Sequence, residues 1–228
     1  MELPFTRENF LEIFKQYNLG IYPLQYFFYF LAAMIVFLSV SKKPSFKKFV
    51  AWLLAFYWLW MGIVYHLYFF TRINPAAWLF GALFILQSYL LIHYSLIRKR
   101  LSFQFRNNIY GWSGALLILY ALIIYPVIGS LSGHVYPYSP YIGLPCPTTI
   151  FTLGLFLWQD KKLPFILLVI PILWSLIGTF AAMYLGIPED TGLIISGIVV
   201  LILMMVKAQK SKALLPAVSK KNLRSVSS

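Results

Sequence analysis

Charge is scarce in this sequence. Only 11% of its 228 residues are Asp, Glu, Lys or Arg, and only six are acidic. Soluble domains carry about 25% charged residues, so a soluble globular fold is excluded. There is a single cysteine, Cys146. That rules out an intrachain disulfide and any cluster or zinc site built on cysteines. No His-Glu-x-x-His motif, phosphate-cradling glycine loop or paired-carboxylate site occurs, so no cofactor is implied. No Asp, Glu, Lys or Arg falls in the middle of an apolar stretch. The carboxylate relay of proton-driven pumps and the mid-span lysine of a retinal protein are therefore missing. The first residues, with Glu2, Arg7 and Glu8, do not read as a secretory signal.

Apolar and aromatic residues are abundant: 61% are hydrophobic and 19% are Phe, Trp or Tyr. The mean hydropathy is +0.77. Seven apolar stretches run near Tyr22–Val40, Phe49–Phe70, Pro75–Ile97, Tyr110–Leu131, Leu144–Trp158, Pro164–Leu185 and Thr191–Val206. At ~20 residues per crossing, this predicts an all-α, polytopic membrane protein with a bundle of seven transmembrane helices. The expected organisation is an outer N-terminal segment (1–21), a transmembrane domain (22–206) and a solvated, irregular basic tail (207–228). In the first segment Thr6 caps a short helix, and Phe5 and Phe10 are spaced as a hydrophobic staple. Its amphipathic pattern predicts a helix lying in the membrane interface.

The net charge of +13 is distributed unevenly. One set of connections holds Lys42, Lys43, Lys47, Lys48, Arg98, Lys99, Arg100, Arg106, Lys161 and Lys162. The tail adds Lys207, Lys210, Lys212, Lys220, Lys221 and Arg224. The opposite set has only Arg7, Lys15 and Arg72, and it holds every acid except Asp160. The positive-inside rule then predicts an N-terminus outside and a C-terminus in the cytoplasm. The basic surface suits anionic lipid headgroups at the cytoplasmic face better than nucleic acid. An oligomer is compatible with the sequence.

Chemistry is expected around the fifth stretch. The prolines of Gly143-Leu144-Pro145-Cys146-Pro147 should hold Leu144 and Cys146 extended, with Pro147 at the first helical position. Cys146 would then cap a helix whose dipole favours a thiolate, and a soft metal is the natural ligand of such a group. The plainer reading makes Cys146 a small buried apolar side chain. Thr148, His66, His134, Asn74, Glu189 and Asp190 lie towards the same outer side and complete the candidate ligand-binding set. Each also has an ordinary role: Asn74 before Pro75 as a helix cap, Glu189 and Asp190 at a helix start, His66 as a packing histidine among aromatics. Gln87, Tyr89, His93, Trp58, Trp60 and Tyr65 offer a second polar-aromatic lining.

Gly111-Trp112-Ser113-Gly114 resembles the Gly-x-Ser-Gly motif of rhomboid-type intramembrane proteases, with His93 as a conceivable base. The sixth stretch lacks the histidine of that pattern, and small residues there also let helices approach closely. Over most of its length the chain resembles a family of bacterial inner-membrane proteins of unknown function. The resemblance rests on Leu3-Pro4-Phe5-Thr6-Arg7-Glu8, Ile73-Asn74-Pro75-Ala76-Ala77, and Tyr136-Pro137 followed by Gly143-Leu144-Pro145-Cys146-Pro147-Thr148-Thr149-Ile150-Phe151-Thr152. It implies a multi-span protein of the bacterial cell membrane and supplies no activity or catalytic residue. Binding or transport of a small solute at an outer-facing cavity is the leading expectation. A non-transporting sensor, assembly or envelope protein is the alternative, and a membrane hydrolase using Ser113 comes third.

Overall fold

A computed structural model describes the backbone of residues 4–41, 43 and 46–226, and the side chains of all of these except 47, 48 and 210–226. Glu2, Leu3, Lys42, and the side chains of Lys47, Lys48 and the basic tail from Lys210 to Arg224 lie outside the described residues. Within them the chain is all-helical, with isolated bridges but no strand.

Helix α1 (Arg7–Gly20) begins as its sequence dictates: Thr6 Oγ1 accepts from Asn9 N at 3.3 Å, and the Phe5 and Phe10 rings stack. A turn at Tyr22-Pro23 bends the chain by 87° into α2 (Leu24–Val40). Helix α3 (Phe46–Trp60) continues through a π-helical stretch, Met61–Phe69, and one 3-10 turn, Phe70–Arg72. Helix α4 (Ala77–Ile92) ends in a π turn, His93–Ile97. α3 and α4 approach at Gly62 and Gly81, where a Cβ on either would lie about 3 Å from the other's carbonyl oxygen. Asn108 caps α5 (Ile109–Leu119), which leads through a π turn, Tyr120–Ile124, into α6 (Tyr125–Leu131). Helix α8 (Ile166–Leu185) stops at Gly186, whose left-handed φ of +66° is the usual glycine ending. A 3-10 turn, Pro188–Asp190, opens α9 (Thr191–Val226).

At the centre lies α7 (Pro145–Leu157), with all 13 residues buried. It starts earlier than its prolines predict. Leu144 is the extended N-cap, Pro145 takes the first helical position, and Cys146 is already helical. Both prolines fit because the N–H groups of a first turn have no intrahelical partner to lose. The second departure is at the other end of the chain. α9 runs as helix to Val226, where the sequence suggested an irregular tail; the Lys, Ala, Leu and Gln residues after Val206 are all good helix formers.

Five helices are long and apolar enough to cross a membrane, and up to six if the bent pair α1–α2 counts as one span. These features fit a membrane-embedded protein. The connections gather at two ends. At one, Phe105 N donates to Ser39 O, Asp160 N to Ser102 O, Arg106 pairs with Asp160 at 2.7 Å, and Lys207 Nζ reaches Gln159 O. At the other, Arg72 bonds Gln16, Asn18 donates to the carbonyls of Pro137 and Ser139, and Tyr17 OH donates to Gly143 O. The predominantly basic connections thus meet at the first end and the acidic ones at the second.

Candidate functional site

Between α1, the Pro140–Pro147 segment and α8 lies a cavity of about 610 Å³. Phe5, Phe10, Phe14, Phe70 and Phe80 form much of its wall, so it is largely apolar. Polar groups converge where α7 and α9 begin. Cys146 lines the cavity and its thiol faces Asp190, a neighbouring acceptor for an S–H donor. Asp190 Oδ1 accepts a hydrogen bond from Tyr125 OH. Trp174 Nε1 lies near Cys146 Sγ: a Cβ added to Gly178 would sit 3.6 Å from the nitrogen and 3.8 Å from the sulfur. That indole N–H otherwise lacks a hydrogen-bond partner, although Trp174 is only 8% exposed.

Behind this floor runs a second polar chain. His134 Nδ1 is 2.7 Å from Glu189 Oε1, and His134 Nε2 is 3.1 Å from Arg7 Nη2. Arginine can only donate, so Nε2 is the acceptor and the ring proton sits on Nδ1, directed at Glu189. The chain ties α1 to the start of α9. Tyr120 OH adds a bond to Glu189 O at 2.7 Å, while Glu189 Oε2 is unpartnered.

The expected residues therefore divide. Cys146, Asp190 and Asn74 line the cavity. Asn74 also caps α4, its Oδ1 accepting from Ala76 N at 3.0 Å. His134 and Glu189 pair with each other just outside it. Thr148 is occupied with backbone: its Oγ1 accepts from Gly143 N, and its carbonyl accepts from Thr152 Oγ1. His66 sits behind the wall, packed edge-on to Phe84 and Trp174, with both ring nitrogens unpartnered.

A family of unknown function, DUF6064, matches residues 7–214. The chain belongs to that family. No curated protein and no solved structure matches it. The matched region of this DUF6064 protein takes in the seven apolar stretches of the sequence and the cavity apart from its rim at Pro4 and Phe5.

The glycines flanking Ser113 have a packing role. A Cβ on Gly114 would lie 2.6 Å from Gly154 O, and Trp158 Nε1 donates to Gly111 O at 2.8 Å. His93 packs against Tyr89 and Tyr94 of its own helix, and its Nδ1 is unpartnered. The second polar-aromatic set is likewise divided: Gln87 donates to Leu167 O, Trp58 to Thr152 and Trp60 to Tyr17, while Tyr65 joins the main cavity. Sequence reasoning missed Trp174, Tyr125 and Arg7. A tryptophan in the sixth apolar stretch was the available signal for the first, because an indole needs a partner for its N–H. The other two carried none.

Proposed function

We propose that this DUF6064 protein binds, and carries across the membrane, a small and largely apolar solute at an outward-facing cavity. The observation that carries this reading is the pairing of a large aromatic-walled cavity with a compact polar floor. Ligand sites combine the same elements: about 300–1,000 Å³, mostly apolar walls, and a few placed polar groups. Here the floor is Asp190, Cys146 and Trp174.

In this reading α2, α3, α4, α5–α6, α7, α8 and α9 make seven crossings of a bacterial inner membrane. The charge sorting supports an outside N-terminus and a cytoplasmic C-terminus, with anionic headgroups against the basic end. α7 is short, but it joins the basic end, where Trp158 O accepts from Gln104 N, to the acidic end at Gly143. A soft-metal cargo has thinner support. Among the described residues no group of three or more His, Cys, Asp or Glu side chains is assembled, and one thiol with one carboxyl makes a poor cage.

The test uses the full-length protein in liposomes with a panel of apolar and amphiphilic solutes. Asp190→Asn and Cys146→Ser should each weaken saturable binding by about tenfold, the value of one polar contact. Liposome flux then separates carriage from binding alone. Failure of every solute to bind saturably, or full affinity in both variants, refutes the proposal.

A further inference from the structure

The chemistry of the floor and the position of the mouth say more about the solute. We infer that the cavity takes an uncharged, hydroxyl-headed, single-chain amphiphile directly from the bilayer leaflet beside it. The inference rests on the reading of this cavity as a solute site and narrows it to one class.

The mouth is lateral. Phe180 and Tyr184 of α8 line the cavity, yet they are 73% and 61% exposed on the outside of the bundle. On the facing side are Ala76, which is exposed, and Phe80, half-buried on α4. Here α4 and α8 meet through side chains, Phe80 and Phe84 against Trp174, whereas α3 and α4 meet at glycine backbone. None of these residues is charged. An apolar opening on the flank of a membrane bundle meets acyl chains, not water.

The head is selected by hydrogen-bond arithmetic. Trp174 offers a buried N–H without a strong acceptor, and Asp190 offers a carboxyl oxygen. A hydroxyl serves both, accepting from the indole and donating to Asp190. An ammonium has donors only and leaves the indole N–H with no acceptor but the weak Cys146 sulfur. A carboxylate has acceptors only and nothing to donate to Asp190, and either ion must shed its hydration to enter a dry, aromatic-walled site. A hydroxyl on an apolar tail fits both the floor and the aromatic walls.

The experiment uses the full-length protein in lipid nanodiscs with four diazirine photoprobes: a long-chain alcohol, the acid and the primary amine of the same chain, and a water-soluble aromatic alcohol. Crosslinks are mapped by mass spectrometry. Expected is labelling by the long-chain alcohol on cavity-lining segments of α7 and α8, displaced by unlabelled alcohol. The acid and amine should label at least about tenfold less, as one unpaired buried polar group demands. Ala181→Trp, which fills the mouth from a half-buried position, should remove the labelling. Trp174→Phe should reduce it several-fold while keeping the ring. The probe comparison on the unmodified protein needs neither variant. Equal labelling by the acid or amine overturns the head class and leaves the solute site standing. Labelling by the water-soluble probe alone overturns lateral loading and also leaves the solute site standing. No labelling of lining residues by any probe overturns both.

Discussion

Replacing His134 by Ala cuts the polar chain at its middle link. The ring donates from Nδ1 to Glu189 Oε1 across 2.7 Å, between side chains 3% and 0% exposed. Glu189 Oε2 has no partner, so loss of the ring leaves the whole carboxyl end unsatisfied inside the bundle. An unsatisfied buried acceptor costs about 1–3 kcal/mol, and a carboxyl group belongs at the upper end, so the variant should lose about 3 kcal/mol. Arg7 lies at the exposed end of the same chain, and Arg7→Ala should cost under about 1 kcal/mol. The assay is unfolding in mixed detergent micelles, titrated with a denaturing detergent and followed by helical ellipticity. Loss of imidazole packing contributes to the single variant, so the cycle with Glu189→Ala, which removes the acceptor, isolates the pair. Contacting polar groups couple by about 0.5–3 kcal/mol. Coupling below about 0.5 kcal/mol, or equal costs for His134→Ala and Arg7→Ala, would refute the argument.

Four substitutions test the packing, three of them around α7. Gly114→Val places methyl groups against Gly154 and Trp158, where the first added carbon is already 2.6 Å from a carbonyl oxygen. It should lose about 3 kcal/mol or fail to fold, read as a drop in thermal midpoint or in monodisperse yield. Phe103→Ala removes a fully buried ring that stacks on Phe156 and should cost about 3–5 kcal/mol in the same micelle titration. Gly143→Ala meets both a φ of +100° and the Phe28 ring at 2.7 Å, and should cost about 2 kcal/mol or more. Gly186→Ala, at φ +66° with open space around it, carries only the backbone strain of about 1–2 kcal/mol. Equal midpoints for these last two would show that the Phe28 contact is not constraining.

The helices were legible because apolar stretches and their interruptions follow from composition alone. The interruptions after Phe70, Ile97, Leu131, Trp158 and Leu185 are breaks or connections in the structure, and Thr6 caps the helix that follows it. The start of α7 was less legible. The restriction that proline imposes on its predecessor gave way at Cys146, where the first turn tolerates a missing N–H and the buried surroundings favour helix. The site was legible in part. Cys146, Asp190 and Asn74 stood out as rare polar residues near one end of their helices, and they meet at the cavity. Trp174 and Tyr125 were hidden among abundant aromatics, since 19% of the chain is Phe, Trp or Tyr. Arg7 bonds a residue 127 positions away, a pairing that no local pattern encodes.

The shortness of α7 accounts for the cavity. Taken as one of the proposed crossings, its thirteen residues span about 20 Å, against about 30 Å for a hydrocarbon layer. The missing length must be filled with backbone whose polar groups are satisfied. At the basic end the 100–105 segment does this: Gln104 N bonds Trp158 O, Gln159 bonds Ser102 N and Arg100 O, and Phe103 closes the core. At the acidic end Gly143 is satisfied by Tyr17 and Thr148, but the space beside Pro145 and Cys146 is walled by side chains of α1, α8, Phe70 and Phe80. A full-length helix in this position would carry side chains through that volume. Ending α7 at Pro145 instead leaves a room lined by side chains, with its first turn, Asp190 and Trp174 as the floor. Under the proposed seven-crossing topology the deficit therefore falls on the side facing away from the cytoplasm, where a solute would be captured.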